Sequence, residues 1–171
     1  RWEYIDRSQV KFHHLWTMNP DGTGQTVYYG NMHPGFVMID AKPIPNTHKV
    51  LATFCPGHGR TEHEGVMTIV DPSNGPDDKS MAKPVVPGKY FRDPYPISED
   101  LFMAAGYHEI FLVDPEGRVI VIYELPPEWR QHGMRIQEPR PVRARQRERT
   151  LPSRVDLKNP TGHVFLEDVY I

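Results

Sequence analysis

At 171 residues the chain is long enough for one ordinary domain with a real hydrophobic core. Its formal net charge of −2 gives no whole-protein reason to bind nucleic acid or an anionic membrane. No apolar run approaches the roughly 20 residues of a membrane helix. The 18 prolines and 13 glycines, beside 38% hydrophobic residues, suit short strands and many turns rather than long helices. A single cysteine rules out an internal disulfide and leaves the redox compartment open. The chain opens on RWEYIDRSQV without an initiator Met, as expected of a piece of a longer protein, so the lack of a signal peptide carries no information about compartment.

The first unit expected along the chain covers 1–35. In it HLWTMNPDGTG (14–24) runs from apolar and β-branched residues into Asn-Pro-Asp-Gly. Asn or Asp before Pro starts a turn by side-chain-to-backbone bonding, Pro presets φ, and Gly accepts the positive φ that closes it. Apolar run, turn and second run together read as a hairpin. The pattern returns as VMTIVDPSNG (66–75) in a unit over 36–90, and as IFLVDPEGRVIVIYE (110–124) in a unit over 91–124. A second motif, Pro-x-Pro followed by polar residues and a strand-like run, occurs as PIPNTHKVLAT (43–53) and PYPISEDLFMAA (94–105). Two motifs in the same order, at a period of about 40–50 residues, point to repeated small antiparallel sheets as in a β-propeller. The competing fold is a non-repetitive β-sandwich in which Asp-Pro turns recur by chance.

Strands are expected over 50–54, 66–70, 101–105, 110–113 and 118–123, the last three as a meander. The segment SEDLFMAAGYHEIFL (98–112) has Ser98 ahead of Glu99 and Asp100 as at a helix start, but Gly106 and the aromatic and β-branched content favour strands. The expected core comprises Leu15, Val50, Phe54, Ile69, Leu101, Met103, Phe111, Val119 and Val121. The fold class is thus all-β: antiparallel propeller blades, forming a partial propeller because a closed ring needs at least about four blades of four strands.

Beyond Glu124 the periodicity fades. The connector 125–160 includes LPPEWRQHGMRIQEPRPVRARQRERTLPSR, whose prolines withhold ladder donors and favour extended backbone. It reads as a strap over the surface, leading to a final strand in TGHVFLEDVYI (161–171). Arg140, Arg143, Arg145, Arg147 and Arg149 could form a phosphate-contacting stripe. The segment lacks aromatic residues for base stacking and the chain is slightly acidic, so no nucleic-acid partner is expected and the arginines should pair with surface carboxylates.

The ordered series MNPDGTGQTVYYGN, IDAKPIPNTHKVLATFCPGHG, GVMTIVDPSNG, YFRDPYPISEDLFMAA, IFLVDPEGRVIVIYE, EPRPVRARQRERTLPSRVD and HVFLEDVYI resembles the propeller-containing region of proteins related to the hydrazine synthase alpha subunit. LWTMNPDGTG is also similar to the Asn-Pro-Asp-Gly element of TolB-type propeller repeats. The resemblance implies a WD40-like propeller section of a large periplasmic or otherwise extracytoplasmic protein, followed by domains that carry c-type haem. Haem attachment needs Cys-x-x-Cys-His, and the one cysteine here stands in Cys55-Pro-Gly-His58 without a second thiol, so no haem attachment is expected in this chain.

The stretch CPGHGRTEHEG, between the expected strands 50–54 and 66–70, is the first candidate site. Cys55, His58, Glu62, His63 and Glu64 could gather around zinc, with His58, His63 and Cys55 as ligands. The alternative is a solvated turn whose Gly57 and Gly59 serve backbone geometry. The resemblance supports the metal reading, since relatives keep a Gly-His element in this loop and the alpha subunit places a metal near a haem pocket. His13 and His14 are adjacent, so on a strand they point to opposite faces, and with His33 they read as ordinary surface histidines. A Cys55–His58 nucleophile pair lacks a third orienting group, and no Gly-x-Ser-x-Gly, phosphate loop or His-Glu-x-x-His is present. The expected function is a non-catalytic propeller scaffold or interaction segment, partnered by other domains of its parent chain. The alternatives are a zinc-bearing part of a redox active site completed by other domains, and a TolB-type ligand- or peptide-binding propeller.

Overall fold

In the computed structural model the described residues are 12–57, 63–144, 147, 149–152, 156–159, 161 and 162. The Asn-Pro and Asp-Pro turns close as their chemistry dictates. Gly22 donates its N–H to the Asn19 carbonyl at φ 84°. The Asp71 carboxylate accepts from the Ser73 N–H at 3.0 Å over a short 3-10 turn, Pro72–Asn74. The Asp114 carboxylate accepts from the Arg118 N–H at 2.9 Å, while Gly117 donates to the Asp114 carbonyl. Hydrogen bonds from the Ser73 hydroxyl and N–H hold the Asp71 carboxyl below its ordinary pKa, and the Arg118 N–H does the same for Asp114.

The strands so delimited are β1 (Phe12–His13), β2 (Leu15–Thr17), β3 (Thr26–Tyr29), β4 (Phe36–Pro43), β5 (Val50–Cys55), β6 (Gly65–Val70), β7 (Ala82–Pro84), β8 (Tyr90–Pro96), β9 (Phe102–Ala105), β10 (Glu109–Val113) and β11 (Val119–Glu124). One short helix, α1 (Pro127–Arg130), falls in the connector. The fold is all-β and mostly antiparallel, with one parallel pair where β1 lies beside β4. β2 and β3 form a separate hairpin. β4–β5–β6–β7 is a four-stranded antiparallel meander, and β8–β9–β10–β11 is a second. They join where the start of β6 pairs with β8 at Gly65↔Phe91 and Val66↔Tyr90. Among the described residues these strands do not close into a ring, and no described helix is long and apolar enough to cross a membrane.

Gly65 is dictated by close approach. A Cβ there would lie 2.3 Å from the Phe54 carbonyl oxygen and 2.8 Å from the Cys55 Cα, so only glycine lets β6 leave its loop against β5.

Strand alternation gives each meander two apolar faces. On one face of the first, Met38, Ala52, Phe54 and Val70 pack against Leu15 and Tyr29 of the β2–β3 hairpin. On the opposite face, Leu51 and Met67 pack against Phe91, Phe102, Ala104, Phe111 and Val113 of the second meander. Hairpin, first meander and second meander therefore stack in chain order. Each fully buried Leu, Met or Phe in these layers contributes about 1.5–3 kcal/mol.

Of the expected core, Leu15, Phe54 and Phe111 are buried, while Val50, Ile69, Leu101, Met103 and Val119 are half-buried. Val121 is a correction: it is 47% exposed, because β11 is the last strand of its sheet and no described strand lies beyond it. The described start of the connector carries the short helix α1 and then bonds back to the sheets. Ile136 donates its N–H to the Tyr107 carbonyl, Glu138 donates to Asp93, and Arg143 reaches the Ile97 carbonyl at 3.1 Å. From Glu138 onward the partners advance from Asp93 to Tyr95 to Ile97, so this part of the strap runs beside β8 in the same direction. The segment 163–171, expected as a final strand, lies outside the described residues.

Candidate functional site at two equivalent bulges

β4 and β8 are each interrupted by an irregularity at the same place. The register of β4 on β5 shifts between Ile39 and Lys42, and that of β8 on β9 between Arg92 and Tyr95. Each bulge carries an aspartate in the left-handed region, Asp40 at φ 55° and Asp93 at φ 47°. Asp tolerates this backbone better than most residues, though at some cost in strain. The hairpin ends Pro43↔Val50 and Pro96↔Phe102 align the two meanders and make Asp40 the counterpart of Asp93. The shared sequence is Asp-x-x-Pro-Ile, at 40–44 and 93–97. The Pro-x-Pro pairing of 43–45 with 94–96 is thus two residues out of register.

A third residue at positive φ, Glu138 at 45°, arrives on the strap, and its N–H donates to Asp93 Oδ2 at 3.0 Å. Carboxylate oxygens of Asp40, Asp93 and Glu138 lie within 4.8 Å of one another. With His63, Arg92 and Gln137 they line a pocket of about 310 Å³. Asp93 is 8% exposed. Asp40 Oδ2 is buried and has no hydrogen-bond partner among the described residues. Burial is the main reason that the Asp40 carboxyl is pushed above its ordinary pKa; Lys42 opposes the shift, Asp93 adds to it, His63 opposes it weakly and Glu138 adds to it. Glu138 moves the other way, held down by a 2.6 Å hydrogen bond from Arg140 and by Lys42 at 3.8 Å.

Three carboxylates at one point are hard oxygen donors, suited to calcium or magnesium and not to the nitrogen and sulfur ligation of structural zinc. They are also matched by three cations. Lys42 and Arg140 pair with Glu138, and Arg92 lines the same pocket with its guanidinium 5.2 Å from the Tyr107 ring. The cluster can therefore hold a cation, and equally can serve as a charge-balanced junction fixing the strap to both meanders.

Of the residues expected to bind zinc, Cys55 and His63 are among the described residues and His58 is not. Glu62 also lies outside them. Cys55 is fully buried at the end of β5, in register with Val37 and packed with Val37 and Ile39. His63 is exposed in a turn and faces the pocket beside Asp40. Among the described residues, neither Cys55 nor His63 belongs to the group whose ligand atoms converge. The histidines read as surface residues are instead interior. His13, His14 and His33 are 1%, 6% and 7% exposed. His14 stacks on Trp16 at 5.3 Å, and His33 bonds through Nε2 to the Asp77 carbonyl, which fixes the proton on that nitrogen. Trp16 of β2 stacks on His14, and Tyr29 of β3 with Asp77 encloses His33, contacts that strand alternation alone does not reveal.

No family model, no curated protein and no solved structure matches the chain.

Proposed function

We propose that the chain is a non-catalytic propeller section, a scaffold and interaction module within a larger extracytoplasmic protein of the hydrazine synthase alpha-subunit-like kind, partnered there by its other domains. The observation that carries this reading is the repetition itself. Two four-stranded meanders follow one another with the same bulge, the same Asp-x-x-Pro-Ile and the same Asp-Pro turn between their third and fourth strands. A crystal structure tests it through the operation that superposes β4–β7 on β8–β11. A propeller of four to eight blades demands a rotation of about 45–90° about one axis with little translation along it. A pure translation, or a rotation near zero, would exclude a propeller.

The competing reading is a metal-bearing part of a redox site. The convergence of Asp40, Asp93 and Glu138 beside His63 favours it, and the three neighbouring cations weigh against it. Equilibrium dialysis separates the two. Stoichiometric zinc binding abolished by His58→Ala and His63→Ala, or calcium binding abolished by Asp93→Asn, would sink the purely structural account.

A further inference from the structure

The repeat that brings Asp40 and Asp93 to one pocket brings their neighbours to a second. Lys42 and Tyr95 hold the same place in Asp-x-x-Pro, each followed by a proline, Pro43 on β4 and Pro96 on β8. All four line a cavity of about 380 Å³, to which the strap adds Arg140 and Arg143. None of its lining residues is acidic. The junction therefore separates its charges, with Asp40, Asp93 and Glu138 lining one pocket and Lys42, Arg140 and Arg143 lining the next.

Each of these cations is tethered. The Lys42 side chain is 18% exposed, with its ammonium 3.8 Å from Glu138. Arg140 donates to the same carboxylate at 2.6 Å, and its guanidinium lies 6.0 Å from the Tyr95 ring. Arg143 donates through Nη1 to the Ile97 carbonyl at 3.1 Å and forms no ion pair among the described residues. The connector arginines were expected to pair with surface carboxylates, and Arg143 departs from that. One carboxylate contacts two of the three cations, so the cavity keeps an excess of positive charge and unused N–H donors. Guanidinium forks held in place suit the oxygens of a phosphate, and three cations favour a dianion over a single carboxylate. The cavity is also larger than a phosphate ion alone needs and falls within the range of small-ligand sites. Its remaining wall is a phenol ring and prolines whose fixed φ keeps it pre-formed. We infer that this pocket binds a small phosphomonoester, with the phosphate at Lys42, Arg140 and Arg143 and the organic body against Tyr95 and the prolines. The inference uses only the junction of bulges and strap, so it does not rest on the propeller reading.

Amide chemical shifts of the full chain, followed by NMR as phenyl phosphate, inorganic phosphate or benzoate is added, test it. Phenyl phosphate should shift Lys42, Tyr95 and Arg143 along one saturable curve, with a Kd of about 1 mM or below. Inorganic phosphate should bind at the same residues at least about threefold more weakly, since it lacks the organic body, and benzoate at least about tenfold more weakly. Arg143→Gln should weaken phenyl phosphate at least about tenfold. Arg149→Gln removes the same charge from an exposed arginine of the connector that does not line the pocket, and should leave the affinity unchanged. Lys42→Gln repeats the test from β4, so a loss caused only by loosening the strap around Arg143 is recognised. Absence of saturable shifts overturns the proposal, and so does equal weakening by Arg149→Gln, which would mean diffuse attraction. Benzoate binding as tightly as phenyl phosphate refutes the dianion, and inorganic phosphate doing so refutes the ester. Binding that Lys42→Gln leaves intact overturns the site as drawn.

Discussion

Leu51 and Met103 stand at equivalent positions in two repeats and in opposite environments, which makes them a direct probe of the stack. Leu51 is fully buried between the meanders, against side chains such as Phe91 and Phe102 that are themselves fixed. Truncation to Ala removes its transfer free energy and leaves a cavity that a sheet-on-sheet contact cannot easily collapse, so Leu51→Ala should cost about 3–5 kcal/mol. Met103 is half-buried, and its flexible side chain leaves a gap that water can reach, so Met103→Ala should cost about 1 kcal/mol. With a urea slope of about 2 kcal/mol per molar, the midpoints should fall by roughly 2 M and 0.5 M. The measurement is urea unfolding followed by Trp fluorescence. Equal losses at the two positions would refute the stacking order, since they would place the faces in the same environment. A small loss at Leu51 would refute the internal interface itself.

Gly65→Ala should destabilise by more than about 2 kcal/mol, because its Cβ meets backbone atoms that cannot rotate away, whereas Gly22→Ala, with open space around it, should cost only about 1 kcal/mol for its positive φ. Thermal melts of the two variants check this. Asp40 has a raised folded pKa, so its contribution is fully present below the unfolded value of about 3.9 and is lost as pH rises through the folded value. Asp40→Asn, which has no proton to lose, should therefore gain on the wild type across that window, and a stability difference independent of pH would exclude a raised Asp40. Deleting 135–150 removes the bonds from Ile136 to Tyr107, from Glu138 to Asp93 and from Arg143 to Ile97, so the melting temperature should fall. An unchanged melting temperature would mean that the strap contributes nothing to the sheets.

The strands and turns were legible because local chemistry determines them. Asn19-Pro20, Asp71-Pro72 and Asp114-Pro115 each end a strand by hydrogen bonds within a few residues, and alternation marks the runs between. Burial was legible only where a strand lies inside the stack. Val121 alternates as a core residue does, yet its exposure follows from which strand happens to be last, a property of the tertiary arrangement. The same limit hid the interior of His13, His14 and His33. The acidic junction was missed for a different reason. Both repeats contain Pro-x-Pro, and matching 43 to 94 slides the aspartates apart. Asp-x-x-Pro-Ile, the signal that would have paired Asp40 with Asp93, differs from it by two positions. Glu138 had no local signal, because its place beside Asp93 depends on the strap returning along β8.

The junction gathers three non-glycine residues in left-handed backbone and one carboxylate oxygen buried without a hydrogen-bond partner among the described residues. Each such residue costs on the order of 1 kcal/mol or more, and such strain persists only where the surroundings over-determine it. Here the surroundings are the two meanders and the strap. The repeated bulge turns Asp40 and Asp93 toward a common point, and that point is where Glu138 enters with Lys42 and Arg140 as its counterions. A bulge that only relieved sheet twist would need no acid at its crest, and a strap that only spanned a surface would need no residue at positive φ. The acids, the counterions and the strained backbone make sense together if the bulges exist to receive the strap. The strap in turn supplies Arg140, which pairs with Glu138 and lies over the Tyr95 ring of β8, so the same few residues tie the strap to the repeat.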